Sequence, residues 1–111
     1  MDALAIEIDR LCSNVWVSVG SGKTAYNFYA STDNGDAIII GVSETDEVWT
    51  DVARLGVLRA GRLSLALAES GIVLDLSKNW TFWKAGDSKL ALALVDPTAI
   101  AEAVREALNE R

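Results

Sequence analysis

The stretch GSGKT at residues 20–24 looks like the end of a phosphate-binding P-loop, in which backbone amides and a lysine hold nucleotide phosphates. The full pattern requires a glycine five positions before Gly22, and this chain has Val17 there. It also requires a helix after Thr24, whereas residues 25–29 are typical of a strand. The sequence therefore predicts a glycine-rich hairpin loop and no bound cofactor.

The residue types give little support to other catalytic or metal chemistry. The chain has no histidine, which removes the usual general base near neutral pH and the usual partner of a serine or cysteine nucleophile. Its one cysteine, Cys12, can form neither an internal disulfide nor a structural zinc site by itself. Asp33 and Asp36 flank a tight turn that water can reach, which favours turn residues over a catalytic pair. We therefore expect no metal site and favour a non-enzymatic function.

Aromatic side chains are the first candidates for a contact surface. Trp80 and Phe82 would share one face of a strand, with Trp83 on the opposite face. Both faces cannot belong to the same core, so either a helix covers the second face or an aromatic ring stays at the surface. We predict that Trp80 and Trp83 anchor a protein partner, because exposed rings are typical of binding hot spots. The alternative is that they form core together with the aromatics of the first strands: Trp16, Tyr26, Phe28 and Tyr29.

Acidic residues are concentrated in one segment. Between Lys23 and Arg54 the chain has no basic residue but six acids, so this segment accounts for the whole net charge of −6. The alternatives are that these acids stabilise a turn and a helix start, or that they act on a partner. The acidity argues against duplex nucleic acid or an anionic membrane as a partner. We predict that five of the acids attract a protein with a basic surface: Asp33, Asp36, Glu44, Asp46 and Glu47.

The first half of the chain has the pattern of a helix followed by a three-strand meander. Apolar residues at helical spacing behind Asp2 predict a helix, with Cys12 as a small core residue. Alternation of apolar and polar residues begins at Val15, and Asn34-Gly35 favours a type I′ hairpin turn. The returning strand, residues 37–42, is apolar on both faces, which indicates a central strand or a face that a partner covers.

The second half allows two interpretations. The preferred one has a central helix that is capped by Ser43 or Thr45 and ends at Gly56 or Gly61. Strands would follow at residues 63–68, 72–76, 80–83 and 90–95. The rival is one helix over residues 46–70, in which two glycines would each cost about 1 kcal/mol. In both interpretations Asp96 and Pro97 begin a C-terminal helix.

Length and composition are those of one compact domain. The chain has 111 residues, of which 50% are apolar and 23% charged. We expect residues 1–111 to form a single α+β domain: an antiparallel meander sheet of six or seven strands, with N-terminal, central and C-terminal helices packed on it. The acidic N-terminus does not resemble a signal peptide and no apolar run is long enough to span a membrane, so we expect a cytoplasmic protein.

The order of elements, the size and the acidity resemble those of small bacterial secretion chaperones. The ending of strands plus one helix also resembles bacterial pleckstrin-homology-like domains. We predict a small acidic protein-binding module of the chaperone, immunity, inhibitor or adaptor type, from a bacterium or phage. One alternative is a small-molecule-binding or enzymatic domain with a pocket between helices and sheet that uses Tyr26, Tyr29 or Lys23. Another is a subunit of a homo-oligomer, for example a homodimer, that pairs through an edge strand or the outer face of residues 38–40.

Overall fold

The fold is α+β, as predicted, and the computed structural model describes residues 2–19, 24–43, 47–85, 88–89 and 95–108. The helices in this part of the chain are α1 (Asp2–Leu11), α2 (Val52–Leu55), α3 (Val57–Ala68) and α4 (Pro97–Leu108). The strands are β1 (Val15–Val19), β2 (Thr24–Thr32), β3 (Gly35–Ser43), β4 (Val48–Asp51), β5 (Ile72–Val73), β6 (Trp80–Phe82), β7 (Lys84–Ala85) and β8 (Ser88–Lys89). None of these helices has the length and the apolar run that crossing a membrane requires.

The described strands form two antiparallel sheets instead of the single sheet that we predicted. The larger one, called the main sheet below, has the order β1-β2-β3-β4-β6, and the smaller one has the order β5-β7-β8. The predicted three-strand meander is confirmed as β1, β2 and β3. Because β2 begins at Thr24, a strand stands where a P-loop would need a helix. The loop before it, residues 20–23, and the apolar run at 90–94 lie outside the described residues.

The hairpin between β2 and β3 is confirmed, but its turn lies one residue earlier than the Asn34-Gly35 turn that we predicted. Thr32 pairs with Gly35, so Asp33 and Asn34 make the turn and Gly35 opens β3 with a φ of 102°. Glycine adopts this positive φ without strain, so Gly35 serves the first position after the turn and not a central position of it. The Thr32 hydroxyl accepts a hydrogen bond from the Asn34 amide at 3.1 Å and donates to the Gly35 carbonyl at 2.7 Å.

Strand β3 is central, which confirms one of the two explanations for its apolar character. The register with β2 shifts between Phe28 and Tyr29, so that Ile38 and Ile40 find partners and Ile39 is an extra, bulged residue. Ile39 and Ile40 are both fully buried, whereas Ile38 is half-buried. The bulge therefore directs two consecutive isoleucines towards the core, which a regular strand could not do.

The central helix does not begin where it was predicted, because residues 48–51 form a strand. Val48 and Thr50 are buried, so the packing follows the alternation of a strand and not the spacing of a helix. Ser43 does not cap a helix; its hydroxyl accepts a hydrogen bond from the Glu47 amide at 3.0 Å in the β3–β4 connection. The cap of α2 is Asp51, whose carboxylate accepts from the Arg54 amide at 3.1 Å.

The predicted strand at residues 63–68 is wrong, because α3 occupies this segment. Its buried residues are Ala60, Leu63 and Leu67, at the i, i+3 and i+7 spacing of a helix, while Leu65 is 75% exposed. The rival interpretation was therefore right for this part of the chain. It was wrong for residues 48–51, and Gly56, with a φ of 91°, separates α2 from α3.

The core lies between the helices and one side of the main sheet. Leu4 and Ile8 of α1 and Ile100 and Val104 of α4 join one buried cluster with sheet residues that include Phe28. Cys12 belongs to the same cluster, as predicted, and burial raises the pKa of its thiol, against the opposing charge of Arg105. The predicted cap of the C-terminal helix is confirmed, since the Asp96 carboxylate accepts a hydrogen bond from the Thr98 amide at 3.0 Å.

Candidate protein-binding face

The side of the main sheet that points away from this core carries a row of aromatic residues. Residues that pair directly across antiparallel strands point to the same side of a sheet. Trp16 pairs with Tyr29, Tyr29 with Ile38, and Trp49 with both Gly41 and Phe82, while Trp80 lies two residues from Phe82 on β6. We call this set the aromatic face: Trp16, Tyr29, Ile38, Trp49, Trp80 and Phe82.

The rings of the aromatic face contact one another across the strands. Trp16 and Tyr29 are stacked, with ring centroids 5.9 Å apart and an interplanar angle of 15°. Trp49 and Phe82 meet edge to face, with centroids 6.4 Å apart and an angle of 68°. These pairs hold each other in place at the surface, which lowers the entropy that a partner would have to remove on binding.

Trp49 takes its position because residue 41 is a glycine. The indole lies across β3 over Gly41, and a Cβ atom at this position would overlap the ring. Any other residue at position 41 would therefore force Trp49 to move. Since Gly41 is itself buried, the indole replaces the side chain that this strand position lacks.

The aromatic face is open to solvent. Trp16, Trp80 and Phe82 are 41, 49 and 45% exposed, and Tyr29 and Trp49 are half-buried by their neighbours. The helices α1, α3 and α4 bury their apolar residues on the opposite side of the sheet. Exposed aromatic side chains on one side of a sheet make this side the candidate for an interaction surface.

The charged residues on the strands of the main sheet have one sign. The described strands of the main sheet contain no lysine or arginine, and their two charged residues are Asp36 and Asp51. Asp51 is 3% exposed and lies 4.0 Å from the Arg54 guanidinium, so that its charge is partly balanced. Asp36 is exposed on the outer side of β3, with Asp33 in the adjoining turn. The field near the hairpin end of the aromatic face is therefore negative.

The structure separates the two tryptophans that we predicted as anchors. Trp80 belongs to the aromatic face, but Trp83 is 1% exposed and lies in the core. Its indole nitrogen donates a hydrogen bond to the Thr50 hydroxyl at 2.5 Å, and this hydroxyl donates to the Ile39 carbonyl at 2.9 Å. A buried side chain with its polar atom already bonded cannot contact a partner, so we remove Trp83 from the contact surface.

The predicted acids are only partly brought together. Asp33 and Asp36 lie at the β2–β3 hairpin, where the Asp36 carboxylate accepts a hydrogen bond from the Ser31 hydroxyl at 3.4 Å. Glu47 is half-buried at the start of β4, and Glu44 and Asp46 lie outside the described residues. Only the hairpin acids are therefore placed next to the aromatic face by the described part of the chain.

The residues that sequence reasoning missed are Trp16, Tyr29 and Trp49. The alternation that begins at Val15 already placed Trp16 on the face opposite the valines. Trp49 was hidden because residues 48–55 were interpreted as one helix. Pairing between strands, which the sequence does not contain, is what brings these rings into one row.

Other chemistry finds no support in the described residues. No group of three or more acidic or cysteine side chains there could hold a metal ion. Hydrogen bonds from the Ser77 hydroxyl and amide hold the pKa of the exposed Asp75 carboxyl below its usual range. These bonds are the local contacts of an aspartate that begins a turn. Three open grooves lie along α3 and at the start of β1, and neither Tyr26 nor Tyr29 lines any of the three.

Comparison with known proteins found no matching family model, no matching curated protein and no matching solved structure. The two resemblances based on the order of elements therefore stay predictions.

Proposed function

We propose that the protein is a small acidic, non-enzymatic binding module that holds a basic segment of another protein against its aromatic face. It would act by surface contact, as a chaperone, an immunity or inhibitor protein, or an adaptor does. The observation that supports this proposal is a row of exposed aromatic rings on a sheet face that none of the described helices covers and whose described strands contain no basic residue.

The aromatic face has the composition of a contact surface. Tryptophan and tyrosine supply large areas with few rotatable bonds, and they are enriched among the residues that dominate binding energy. Trp16, Trp80 and Phe82 each leave more than two-fifths of their surface in water. A partner that covers them would remove apolar area from solvent without first having to displace a helix.

The charge selects a basic partner. An arginine side chain stacks on the face of an indole through a cation–π contact worth roughly 0.5–2 kcal/mol, and it would find three tryptophans on this surface. Asp33 and Asp36 would attract such a segment before contact and raise its association rate. Asp33 and Asp36 would repel an acidic segment, and these strands have no basic side chain that could bind it.

Titration with a defined peptide tests the proposal. The probe is a short fluorescent peptide that alternates arginine with valine, and its control alternates glutamate with valine. We expect the basic peptide to bind and the acidic one not to bind. Trp80→Ala should weaken binding by about 2 kcal/mol, roughly 30-fold in Kd, because the contact of a half-exposed tryptophan is lost.

The matched control is Leu65→Ala, which removes an apolar side chain that is 75% exposed on α3. It should leave the affinity unchanged, because Leu65 lies on the helical side of the molecule. The proposal would be contradicted if both peptides bound equally well, or if Leu65→Ala weakened binding as much as Trp80→Ala.

A further inference from the structure

The outer edge of strand β1 is available for pairing with a further strand. It is the last strand of the main sheet, and among the described strands only β2 pairs with it. The backbone amides and carbonyls of alternate β1 residues therefore point away from the sheet, and no other strand in the described part of the chain uses their hydrogen-bonding capacity. Such an edge is a template for a further strand.

The side chains of β1 do nothing to protect this edge. Natural edge strands usually carry a lysine, a proline or an inward-pointing charge that prevents pairing, and β1 (Val-Trp-Val-Ser-Val) has none of these. Val17 and Val19 are 52 and 88% exposed, although the pairing places them on the same side of the sheet as Phe28 in the core. An adjoining strand would cover the apolar side chains that this edge leaves in water.

We infer that β1 pairs with the β1 strand of a second copy of this chain, antiparallel about a two-fold axis at Val17. In this register Val17 faces Val17 of the second copy, and Val15 faces Val19 of the second copy. Trp16 then faces Ser18 of the second copy. The strand is self-complementary, because every valine meets a valine and no charged groups are opposed.

A second copy fits this edge better than a foreign basic strand. The charged residues of the main sheet are on β3 and β4, which lie at least two strands away from the edge, so self-pairing does not bring their carboxylates face to face. A basic segment would instead place cations against valines without a counter-charge on β1. The two-fold axis would also join two main sheets edge to edge, with both aromatic faces on one side and Trp16 near the seam.

The oligomeric state tests this inference, which does not depend on the proposed function. Sedimentation at micromolar concentration should give twice the chain mass of 11.9 kDa. Val17→Lys should raise the dimer dissociation constant at least about a hundredfold, because two lysines would face each other across the axis. The matched control, Val57→Lys, changes a residue that is 88% exposed on α3 and should leave the dimer intact.

Cross-linking tests the register of the β1–β1 pair without the charged Val17→Lys substitution. Opposed residues in an antiparallel pair lie roughly 4.5–5.5 Å apart, within disulfide reach, so Val17→Cys should form a covalent dimer under mild oxidation. The two copies of Val19→Cys would be about 13 Å apart, four residue steps along the strand, and should not cross-link. The native Cys12 is buried and does not compete.

Three results would overturn the inference. They are a wild-type chain that stays monomeric at all concentrations, a dimer that Val57→Lys breaks and Val17→Lys does not, and cross-linking of Val19→Cys as fast as Val17→Cys. If Val17→Lys fails to fold by circular dichroism, the two cysteine variants decide the question.

Discussion

The two sides of the main sheet use the same residue types for opposite purposes. On the side that faces α1 and α4, Phe28 is 1% exposed within a cluster of aliphatic residues. On the other side its sequence neighbour Tyr29 stacks on Trp16 at the surface. Trp83 and Trp80 repeat this contrast three residues apart, one in the core and one on the aromatic face. Aromatic content therefore does not separate core from exposed surface; the pleat of the strand does.

The largest expected difference between the two sides is in the cost of removing a tryptophan. Trp83→Ala should lower the free energy of unfolding by about 3–5 kcal/mol, because it leaves a cavity in the core and removes the hydrogen bond that the Thr50 hydroxyl accepts. Trp80→Ala should lower it by less than about 1 kcal/mol, because half of this side chain is already in water. Urea unfolding of both variants measures the difference. Equal losses would mean that the aromatic face is part of the core.

A smaller effect is expected from adding one methyl group beneath the aromatic face. Gly41→Ala should destabilise the fold by about 1–3 kcal/mol, because the new Cβ overlaps the indole of Trp49, a rigid ring that can only be displaced. Gly61→Ala is the matched control, since nothing lies near position 61 in α3. It should stabilise the fold by up to about 1 kcal/mol, because alanine favours a helix. Thermal unfolding of the two variants should show a loss of stability for Gly41→Ala and a gain for Gly61→Ala. A Gly41→Ala variant as stable as wild type would show that Trp49 does not rest on β3.

The smallest effect concerns the thiol on the core side. The folded-state pKa of Cys12 is raised by burial, so its contribution to stability is fully present below the unfolded pKa of about 8.5 and is lost as pH rises through the folded pKa. Wild type should therefore lose stability relative to Cys12→Ala between neutral and alkaline pH. Urea unfolding at several pH values measures this. A constant difference between the two proteins would show that the thiol is accessible to water.

Local sequence signals were sufficient to predict the elements that are bounded by a specific capping or turn residue. Asp96 and Pro97 fixed the start of α4, and Asn34-Gly35 located the β2–β3 hairpin to within one residue, because caps and turns depend on side chains close in sequence. Residues 63–68 could not be decided in this way, since alternating leucine and alanine suits a strand as well as a helix. The helix forms because Leu63 and Leu67 find the core while Leu65 points to water.

The candidate site was predictable only in part. The alternation of Trp80, Phe82 and Trp83 was recognised, but which side of the strand would be covered depends on where the helices pack. Trp49 was assigned to a helix, because its apolar neighbours fit that spacing as well. Strand β4 forms because Val48 and Thr50 are buried beside β3, a long-range contact that overrides local propensity.

The most direct test of the aromatic face follows the four indole N–H signals in a nuclear magnetic resonance titration with the arginine–valine peptide. Three of the four tryptophans lie on this face, and the fourth, Trp83, is buried with its indole nitrogen bonded to Thr50. We expect the signals of Trp16, Trp49 and Trp80 to shift together with one affinity, while the Trp83 signal stays in place. Peptide binding that leaves these three signals unchanged would show that the peptide does not bind to the aromatic face.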